Sequence, residues 1–335
     1  MSTRTLCLLS LLSGLVLGCR PETPPPAFPE EPMEYPSEWL YDQRAYPHNR
    51  LNHAVWRQAL RQTREALEAV AERSNLQWEL VGPLNVGGRI TDVALHPQDT
   101  NILYAGASVG GVWKSTDGGQ SWTPIFDEVG ALSIGDLALA PSDPDVLYVG
   151  TGEANGSATS GAFFGNGVYK STDGGQTWQH LGLENSQHIG RIAVDPTNPD
   201  RVFVAAAGLL YGKSPDRGLY RSLDGGQNWE QVLFLSDSTA VIDVAIHPTQ
   251  PDTLFAATWE RIRFPWIRKY GGLTSGLWRS TDGGDTWERL GNGLPPPHEE
   301  QGRIGVAISP SHPDVVYAVF TTNAVRNFFD GLYKS

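Results

Sequence analysis

From Trp78 to the last residue, short apolar runs alternate with turn-forming residues. The first period contains four such runs, RITDVALHP, ILYAGAS, GVWKS and QSWTPIF, which Gly, Pro, Asp and Asn separate. Runs of this length that are rich in Val, Ile, Leu, Tyr and Trp are typical of β-strands. The pattern then repeats, because the serine after the third run recurs at positions 115, 171, 222, 280 and 335. Four strands in each period of 51 to 58 residues predict one propeller blade per repeat, and therefore an all-β fold.

The segment before the repeats has a different period. Between Leu51 and Arg73, apolar residues recur every three to four positions, and charged residues occupy the opposite face. The apolar stripe consists of Val55, Ala59, Leu60, Ala66, Leu67 and Val70. This spacing predicts one amphipathic α-helix within residues 38–75. We expect this helix to pack on the repeat domain as a lid or plug.

The first residues have the pattern of an export signal. Arg4 provides a positive charge, an apolar stretch follows, and VLGC ends at Cys19. This ending resembles a bacterial lipobox. The resemblance implies a signal peptide over 1–18, cleavage before Cys19 and lipid attached to the cysteine sulfur. The alternative is an ordinary signal peptide in which the cysteine occurs by chance. The proline-rich segment 19–37 predicts an extended tether. We therefore expect an exported protein that is lipid-anchored to the cell envelope, at the outer membrane or surface.

Composition excludes several classes of function. The net charge is −12, which argues against nucleic acid as a partner because phosphate binding needs a basic surface. The two cysteines, Cys7 and Cys19, both precede the body of the protein, so no disulfide or cysteine metal site is expected there. No glycine-rich phosphate loop or zinc spacing stands out. The sequence therefore predicts neither a metal nor a cofactor.

Eleven residues, of which VYKSTDGGQTW at 168–178 is one copy, occur four times in closely similar form. The aspartate accepts hydrogen bonds from nearby backbone N–H groups, the two glycines allow positive φ, and the tryptophan buries a large ring. The residues resemble the Asp-box, or bacterial neuraminidase repeat, S-x-D-x-G-x-x-W. The resemblance implies a structural turn away from the ligand face, so catalytic and calcium-binding roles are not expected for Asp117, Asp173, Asp224 and Asp282.

The number of blades follows from the outer-strand tryptophans, which are Trp78, Trp122, Trp178, Trp229 and Trp287. Five sets of the other three strands follow them, and the last set ends at Ser335. About five blades are therefore expected over residues 76–335. Either the strand at 76–83 completes the last blade and closes a five-bladed ring, or the chain is a fragment of a longer array.

Ligand contacts are expected on the face opposite the Asp-boxes, where the connections between second and third strands lie. Two of these connections are long, at 150–167 and 259–276. Long loops on a rigid scaffold commonly carry binding residues. In one interpretation, aromatic rings in these loops stack on sugars and arginines bind carboxylates. In the other, the loops pack on a neighbouring module. The candidates are Phe163, Phe164, Arg261, Arg263, Trp266, Arg268 and Tyr270, together with Trp259.

Three families share this type of blade. Sialidases need an arginine triad, and three GRI triplets, at 88–90, 190–192 and 302–304, suggest one. When each first strand is aligned on its final proline, however, Arg191 aligns with Asp92, so the three arginines do not occupy equivalent positions. The segment VGGRITDVALHP to ILYAGASVGG at 86–111 resembles the opening of xyloglucanase-like glycoside hydrolases, but Ser108 stands where that family has a catalytic aspartate. Glu153 and Glu260, which lie just past the second strands of blades 2 and 4, are candidates for a replacement pair. Residues 76–335 are also similar to sortilin-type propellers, which bind peptides and proteins.

Two hypotheses follow. The first is a membrane-anchored β-propeller that binds a protein, peptide or glycan opposite the Asp-boxes and has no catalytic activity. The second is a glycoside hydrolase of the xyloglucanase or sialidase-like type. Because Ser108 cannot act as a general base and no arginine triad is present, the sequence favours binding over catalysis. Two facing carboxyl groups about 5–10 Å apart would favour the hydrolase.

Overall fold

The computed structural model describes residues 42–43, 45–46, 52–71, 87–154, 163–209, 211–264, 268–323 and 328–335. Strands dominate these residues and form successive antiparallel sheets, which confirms the predicted all-β propeller fold. The signal peptide, the tether and Cys19 lie outside the described residues, and so does the strand expected at 76–83.

Each repeat forms one sheet, which we call a blade. Blade 1 contains β1 (Ile90–Leu95), β2 (Leu103–Ala107), β3 (Val112–Ser115) and β4 (Thr123–Pro124), and a short 3₁₀ turn follows at Asp127–Val129. Blade 2 contains β5 (Ile134–Ala140), β6 (Asp143–Thr151), β7 (Val168–Ser171) and β8 (Gln179–His180). Blade 3 contains β9 (Ile189–Asp195), β10 (Asn198–Ala206), β11 (Gly218–Ser222) and β12 (Glu230–Leu233).

Blade 4 carries an additional hairpin. It begins with β13 (Thr239–Ile246) and β14 (Leu254–Glu260), continues through the hairpin of β15 (Ile262–Arg263) and β16 (Arg268–Lys269), and ends with β17 (Gly276–Ser280) and β18 (Glu288–Arg289). Blade 5 has three strands, β19 (Gln301–Ile308), β20 (Val316–Thr322) and β21 (Phe329–Lys334). The five blades predicted from the repeat are thus present, and the described part of the fifth has three strands.

The hydrophobic core lies between blades. Ile134 and Leu137 on the first strand of blade 2 are buried against Tyr104 and Phe126 of blade 1, and similar clusters fill the later interfaces. The matching strand of blade 1 has no such cover among the described residues, where Ile90 is 50% exposed and Val93 is 48% exposed. The sheet of blade 1 therefore presents an apolar face of the kind that blades 2 to 5 bury.

Hydrogen bonds within each Asp-box turn explain its sequence. In blade 2, Ser171 Oγ donates to Asp173 Oδ1 at 2.7 Å, and Asp173 Oδ1 also accepts from Thr177 N at 2.9 Å. Gly174 and Gly175 have φ of +68° and +89°, a backbone region that residues other than glycine rarely occupy. The hydrogen bonds from Thr177 and Ser171 lower the pKa of Asp173 to about 2. The aspartate thus uses its hydrogen-bonding capacity within its own turn.

Two of the four Asp-box tryptophans bond to the preceding repeat. Trp178 Nε1 donates to the carbonyl oxygen of Ile125 in the preceding repeat at 2.8 Å, and Trp229 Nε1 donates to that of Leu181 at 2.8 Å. Trp122 and Trp287 instead donate within their own turns. The motif therefore fixes a turn and, in blades 2 and 3, also fixes the contact with the preceding repeat.

The predicted helix is confirmed as α1 (His53–Ala71). The ring of Trp56 packs edge-on against Phe164 with 6.1 Å between centroids, and Arg57 Nη1 lies 3.5 Å from the carbonyl oxygen of Glu184. Both contacts lie on blade 2, on the path from β6 to β9. Among the described helical residues, no stretch is long and apolar enough to cross a membrane.

Candidate functional site

The face opposite the Asp-box turns, here called the loop face, collects the connections that enter each blade and those that join its second and third strands. Arg89 precedes β1, Ser108 follows β2 and Glu153 follows β6. His188 precedes β9, and Arg261 follows β14. Because these residues lie at strand ends that share one face of the blades, residues that are far apart in sequence meet there.

Three of these side chains form one hydrogen-bonded group. Ser108 Oγ donates to Glu153 Oε2 at 2.6 Å and accepts from Arg89 Nη2 at 2.7 Å. Arg89 also forms an ion pair with the same carboxylate oxygen of Glu153. Glu153 is only 3% exposed, whereas the Arg89 side chain is about half exposed. A buried carboxylate from blade 2 thus reaches Ser108 of blade 1 and is neutralised there by an arginine.

His188 lies directly behind Glu153. It is almost fully buried, and its Nδ1 lies 3.1 Å from the carbonyl oxygen of Glu153. Since a carbonyl oxygen only accepts, Nδ1 carries the proton and Nε2 presents a lone pair. Burial, followed by the positive charge of Arg261, lowers the pKa of His188 to about 3, so the ring stays neutral. Nε2 has no hydrogen-bond partner among the described residues.

Arg261 is 6% exposed and lies beside the aromatic residues that the sequence pattern nominated. Its guanidinium carbon lies 5.1 Å from the ring centroid of Trp259 and 5.9 Å from that of Tyr270. Nη1 donates to the carbonyl oxygen of Ala154 at 3.1 Å. The two rings therefore stack on a cation of the same chain, and the guanidinium contacts the peptide unit next to the one that binds His188.

A second buried arginine, Arg217, binds the backbone around Arg261. Arg217 is 1% exposed, and its guanidinium donates to the carbonyl oxygens of Ser238, Arg261 and Gly212. Burial lowers the pKa of Arg217 to about 10. Three carbonyl oxygens share the charge, so Arg217 holds the backbone that positions Arg261.

Glu260 also has a cationic partner. Its carboxylate accepts from Lys269 Nζ at 2.6 Å and from Thr274 Oγ1 at 2.8 Å. Burial opposes its charge, but these hydrogen bonds outweigh burial and lower the pKa of Glu260. A general acid of a glycosidase needs a raised pKa, so the surroundings of Glu260 do not suit that role.

The remaining sequence candidates are dispersed. Phe163 is 47% exposed, and Phe164 packs between Trp56 and His188. The guanidinium of Arg263 lies 5.5 Å from the ring centroid of Tyr211. Trp266 and the side chain of Arg268 lie outside the described residues. The sequence pattern did not nominate His188, Arg89 or Arg217 as site residues, because their roles depend on contacts between blades.

Arg191 occupies the centre of the array, where the first strands converge. Its guanidinium lies 3.1 Å from Asp136 Oδ1, 3.1 Å from Asp243 Oδ1 and 3.9 Å from Asp92 Oδ1. These aspartates belong to blades 2, 4 and 1, and Arg191 belongs to blade 3. The register that aligned Arg191 with Asp92 places both residues on the same level. The arginine therefore joins four blades, and three carboxylates share its charge.

A cavity of about 760 Å³ opens on the side of blade 1, next to Arg89 and Ser108. Its walls are mainly apolar and include Val93 and Trp113. Positions that match Val93 in the next blades are buried between blades. The cavity therefore has the character of a blade-to-blade interface. Across the described ranges, no group of three or more His, Cys, Asp or Glu residues is placed to hold a metal ion.

Comparison with known proteins confirms the resemblance to Asp-box propellers. The family model described as sortilin, neurotensin receptor 3, matches residues 166–317. A xyloglucanase of Paenibacillus sp is 26% identical over 228 residues, which cover 60% of this chain and 21% of the relative. An oligoxyloglucan-reducing end-specific xyloglucanase of Emericella nidulans is 27% identical over 224 residues, which cover 61% and 24%. The chain thus spans about a quarter of the length of these relatives.

Solved structures agree on the fold. An ancestral GH74 enzyme matches with a TM-score of 0.52 and 17% identity, covering 75% of this chain and 33% of the other. A GH74 enzyme of Niastella koreensis matches with a TM-score of 0.51 and 21% identity, covering 72% and 35%. At these identities the likeness shows the propeller architecture, and the chemistry must be argued from the side chains.

Proposed function

We propose that the loop face binds a polysaccharide of the xyloglucan class and does not cleave it. The group formed by Arg89, Ser108 and Glu153 carries this proposal. It occupies the position at which the xyloglucanase-like resemblance predicts a catalytic aspartate, and it contains a serine and an arginine-bound carboxylate instead. The choice of polysaccharide is supported by the relatives, which are named xyloglucanases.

The electrostatics of the two candidate carboxylates favour binding over hydrolysis. Glycoside hydrolysis needs one carboxyl that donates a proton and one free carboxylate that activates water or attacks the sugar. Glu153 is buried against Arg89, and Glu260 is bound by Lys269, so neither carboxylate is free. The hydrogen bonds to Glu260 also lower its pKa, whereas a proton donor requires a pKa raised towards neutrality.

The test combines binding and turnover. We expect affinity electrophoresis and titration calorimetry to detect binding of tamarind xyloglucan to the wild-type chain, while assays for new reducing ends detect no cleavage. Glu153→Gln and the exposed control Glu230→Gln should retain the fold by circular dichroism. Absence of binding to xyloglucan and to other β-glucans would contradict the proposal.

A second candidate function, glycoside hydrolysis, is favoured by one distance. Glu153 Oε2 lies 2.6 Å from Ser108 Oγ, so a carboxylate from the neighbouring blade lies beside the place where the aspartate is expected. In this mechanism Glu153 would act as the base. Release of reducing ends that Glu153→Gln abolishes, and that Glu230→Gln leaves intact, would establish hydrolysis and overturn the binding-only proposal.

A further inference from the structure

Arg261 is a buried cation without a carboxylate partner among the described residues. The guanidinium has five N–H donors, and within the described part of the chain it makes one hydrogen bond, from Nη1 to the carbonyl oxygen of Ala154. Its Nε is buried and has no acceptor among the same residues. A buried cation normally has an ion-pair partner or several hydrogen bonds, so this arginine has unused capacity.

Other arginines of the chain show how such a charge is usually compensated. Arg191 contacts three aspartates, and Arg201 is bound by Asp195 and Asp252 at 3.1 Å and 2.9 Å. Arg217 uses three carbonyl oxygens. The Nε atoms of Arg201 and Arg217 also have no acceptor among the described residues, so the difference lies at the terminal nitrogens, where Arg261 has the single acceptor on Ala154. An oxyanion from outside the chain would supply further acceptors.

His188 adds an acceptor of the opposite kind beside this donor. Its Nδ1 is bound by the carbonyl oxygen of Glu153, and Arg261 is bound by the carbonyl oxygen of the next residue, Ala154. Two consecutive peptide units therefore bind the two side chains, and the positive charge of Arg261 acts on His188. Since Nδ1 carries the proton, the buried Nε2 accepts a hydrogen bond and does not attract an anion.

The ionisation of both groups suits these roles at neutral pH. Burial, and then the charge of Arg261, lowers the pKa of His188 to about 3, so its lone pair stays available. Burial lowers the pKa of Arg261 to about 10, so the guanidinium stays charged. The partly buried ring of Phe164 packs edge-on against His188, with 6.4 Å between the ring centroids.

We propose that Arg261 and His188 form a subsite for a uronic acid residue of a glycan, with the carboxylate on Arg261 and a sugar hydroxyl donating to His188 Nε2. A uronate carries a carboxylate next to several hydroxyl groups on one ring, which matches a cation beside an acceptor. This inference rests on the proposed glycan-binding function and specifies an acidic substituent on the ligand.

The first experiment needs only the wild-type chain. Titration calorimetry would compare oligogalacturonate, the same oligosaccharide after carboxyl reduction, and neutral xyloglucan. Loss of a charge-assisted hydrogen bond weakens binding about ten- to hundred-fold, so we expect the reduced oligosaccharide to bind weaker than oligogalacturonate by that factor. Equal binding of all three sugars overturns the uronate subsite and leaves the proposed glycan binding intact. Binding to none of them contradicts both.

Variants then locate the subsite. Arg261→Met should remove the preference for the charged oligosaccharide, whereas Arg279→Met, which replaces an exposed arginine on β17, should preserve it. His188→Asn keeps a donor near the carbonyl oxygen of Glu153 but removes Nε2, so it should weaken both charged and reduced sugars by a similar factor. An unchanged preference in folded Arg261→Met would overturn the assignment.

A peptide ligand is the alternative that this design detects. A peptide with a free C-terminal carboxylate and its amidated counterpart would be titrated in parallel. Binding of the free peptide with no preference for the uronate would overturn the glycan subsite. If Arg261→Met does not fold, as judged by circular dichroism, the comparison of charged and reduced sugars on the wild-type chain still decides the question.

Discussion

Replacing Arg191 with methionine tests the central charge cluster. The substitution keeps an unbranched side chain of similar length but removes the charge that three aspartates from three other blades share. Asp136 and Asp243 remain buried, and their second oxygens accept backbone N–H groups of Ile192 and Val306. These carboxylates therefore cannot turn away without losing backbone hydrogen bonds, and they would lose the cation that contacts all three aspartates, although the charge of Arg303 still acts on Asp243.

The cost follows from burial. Removing one member of a buried ion pair costs about 3–5 kcal/mol, because the partner charge is left uncompensated. The side chain of Arg191 is 40% exposed, so solvent screens part of this, and we expect Arg191→Met to lower the free energy of unfolding by about 2–4 kcal/mol. For a domain of this size, that corresponds to a fall of roughly 5–15 °C in Tm.

The cost should depend on pH. Burial raises the pKa of Asp136 well above its usual value, although the charge of Arg191 opposes this. A carboxyl whose pKa is higher in the folded state favours folding while protonated, so stability falls as pH rises from its ordinary pKa through its folded pKa. Without Arg191 the folded pKa rises further. The deficit of Arg191→Met should therefore be larger at about pH 8 than at about pH 5.

Urea unfolding at both pH values, followed by circular dichroism, measures this. Arg279→Met is the matched control, because Arg279 pairs with Glu288 on the exposed outer edge of blade 4, where an ion pair contributes about 0–1 kcal/mol. A deficit for Arg191→Met no larger than that of the control, or one that does not change with pH, would refute the reasoning.

Three further changes probe the turn, the loop face and the helix. Asp173→Asn should lower the urea midpoint at neutral pH. The pKa of Asp173 is about 2 in the folded state and higher in the unfolded state, so its stabilisation is lost as pH falls from the unfolded pKa to the folded pKa. The difference from wild type should therefore vanish at low pH, and a difference that stays constant would contradict this. Gly152→Ala should lower the free energy of unfolding by at least about 2 kcal/mol, as measured by thermal unfolding. The φ of Gly152 is +79°, and an added Cβ would lie 1.7 Å from the carbonyl oxygen of Gln187. A variant as stable as wild type would show that the loop can move. Trp56→Ala should release α1 from Phe164 and speed limited proteolysis of the helix without changing the β-sheet signal, and unchanged proteolysis would argue against the docking contact.

Local sequence patterns were sufficient to predict the repeating part of the fold. The Asp-box turn depends on residues within eight positions of one another, such as Ser171, Asp173 and Thr177, so its hydrogen bonds could be anticipated from spacing. The strand-ending prolines set a common register, and that register alone aligns Arg191 with Asp92, which the fold places 3.9 Å apart. Short-range turns and a regular register are the features that a repeat encodes most directly.

The candidate site was harder to anticipate because its contacts join different blades. The sequence nominates Glu153 and Ser108 separately, but their hydrogen bond depends on the path of the chain after β6, which no local pattern specifies. Trp259 and Tyr270 are candidates for stacking on a sugar, and their contact with Arg261 is one that no local pattern specifies. The buried acceptor on His188 is a consequence of tautomer and burial, neither of which a sequence displays.

The tryptophan bonds between repeats bear on how such arrays change in length. In blades 2 and 3, the ring that caps the turn also bonds to a carbonyl oxygen of the preceding repeat, at Ile125 or Leu181. A duplicated unit therefore carries its own attachment and offers an equivalent acceptor to the next unit. Recombination that inserts a whole unit of this kind would preserve these bonds, whereas deletion of the segment that carries the acceptor would leave one ring without it. We expect arrays of this kind to gain or lose blades as whole units.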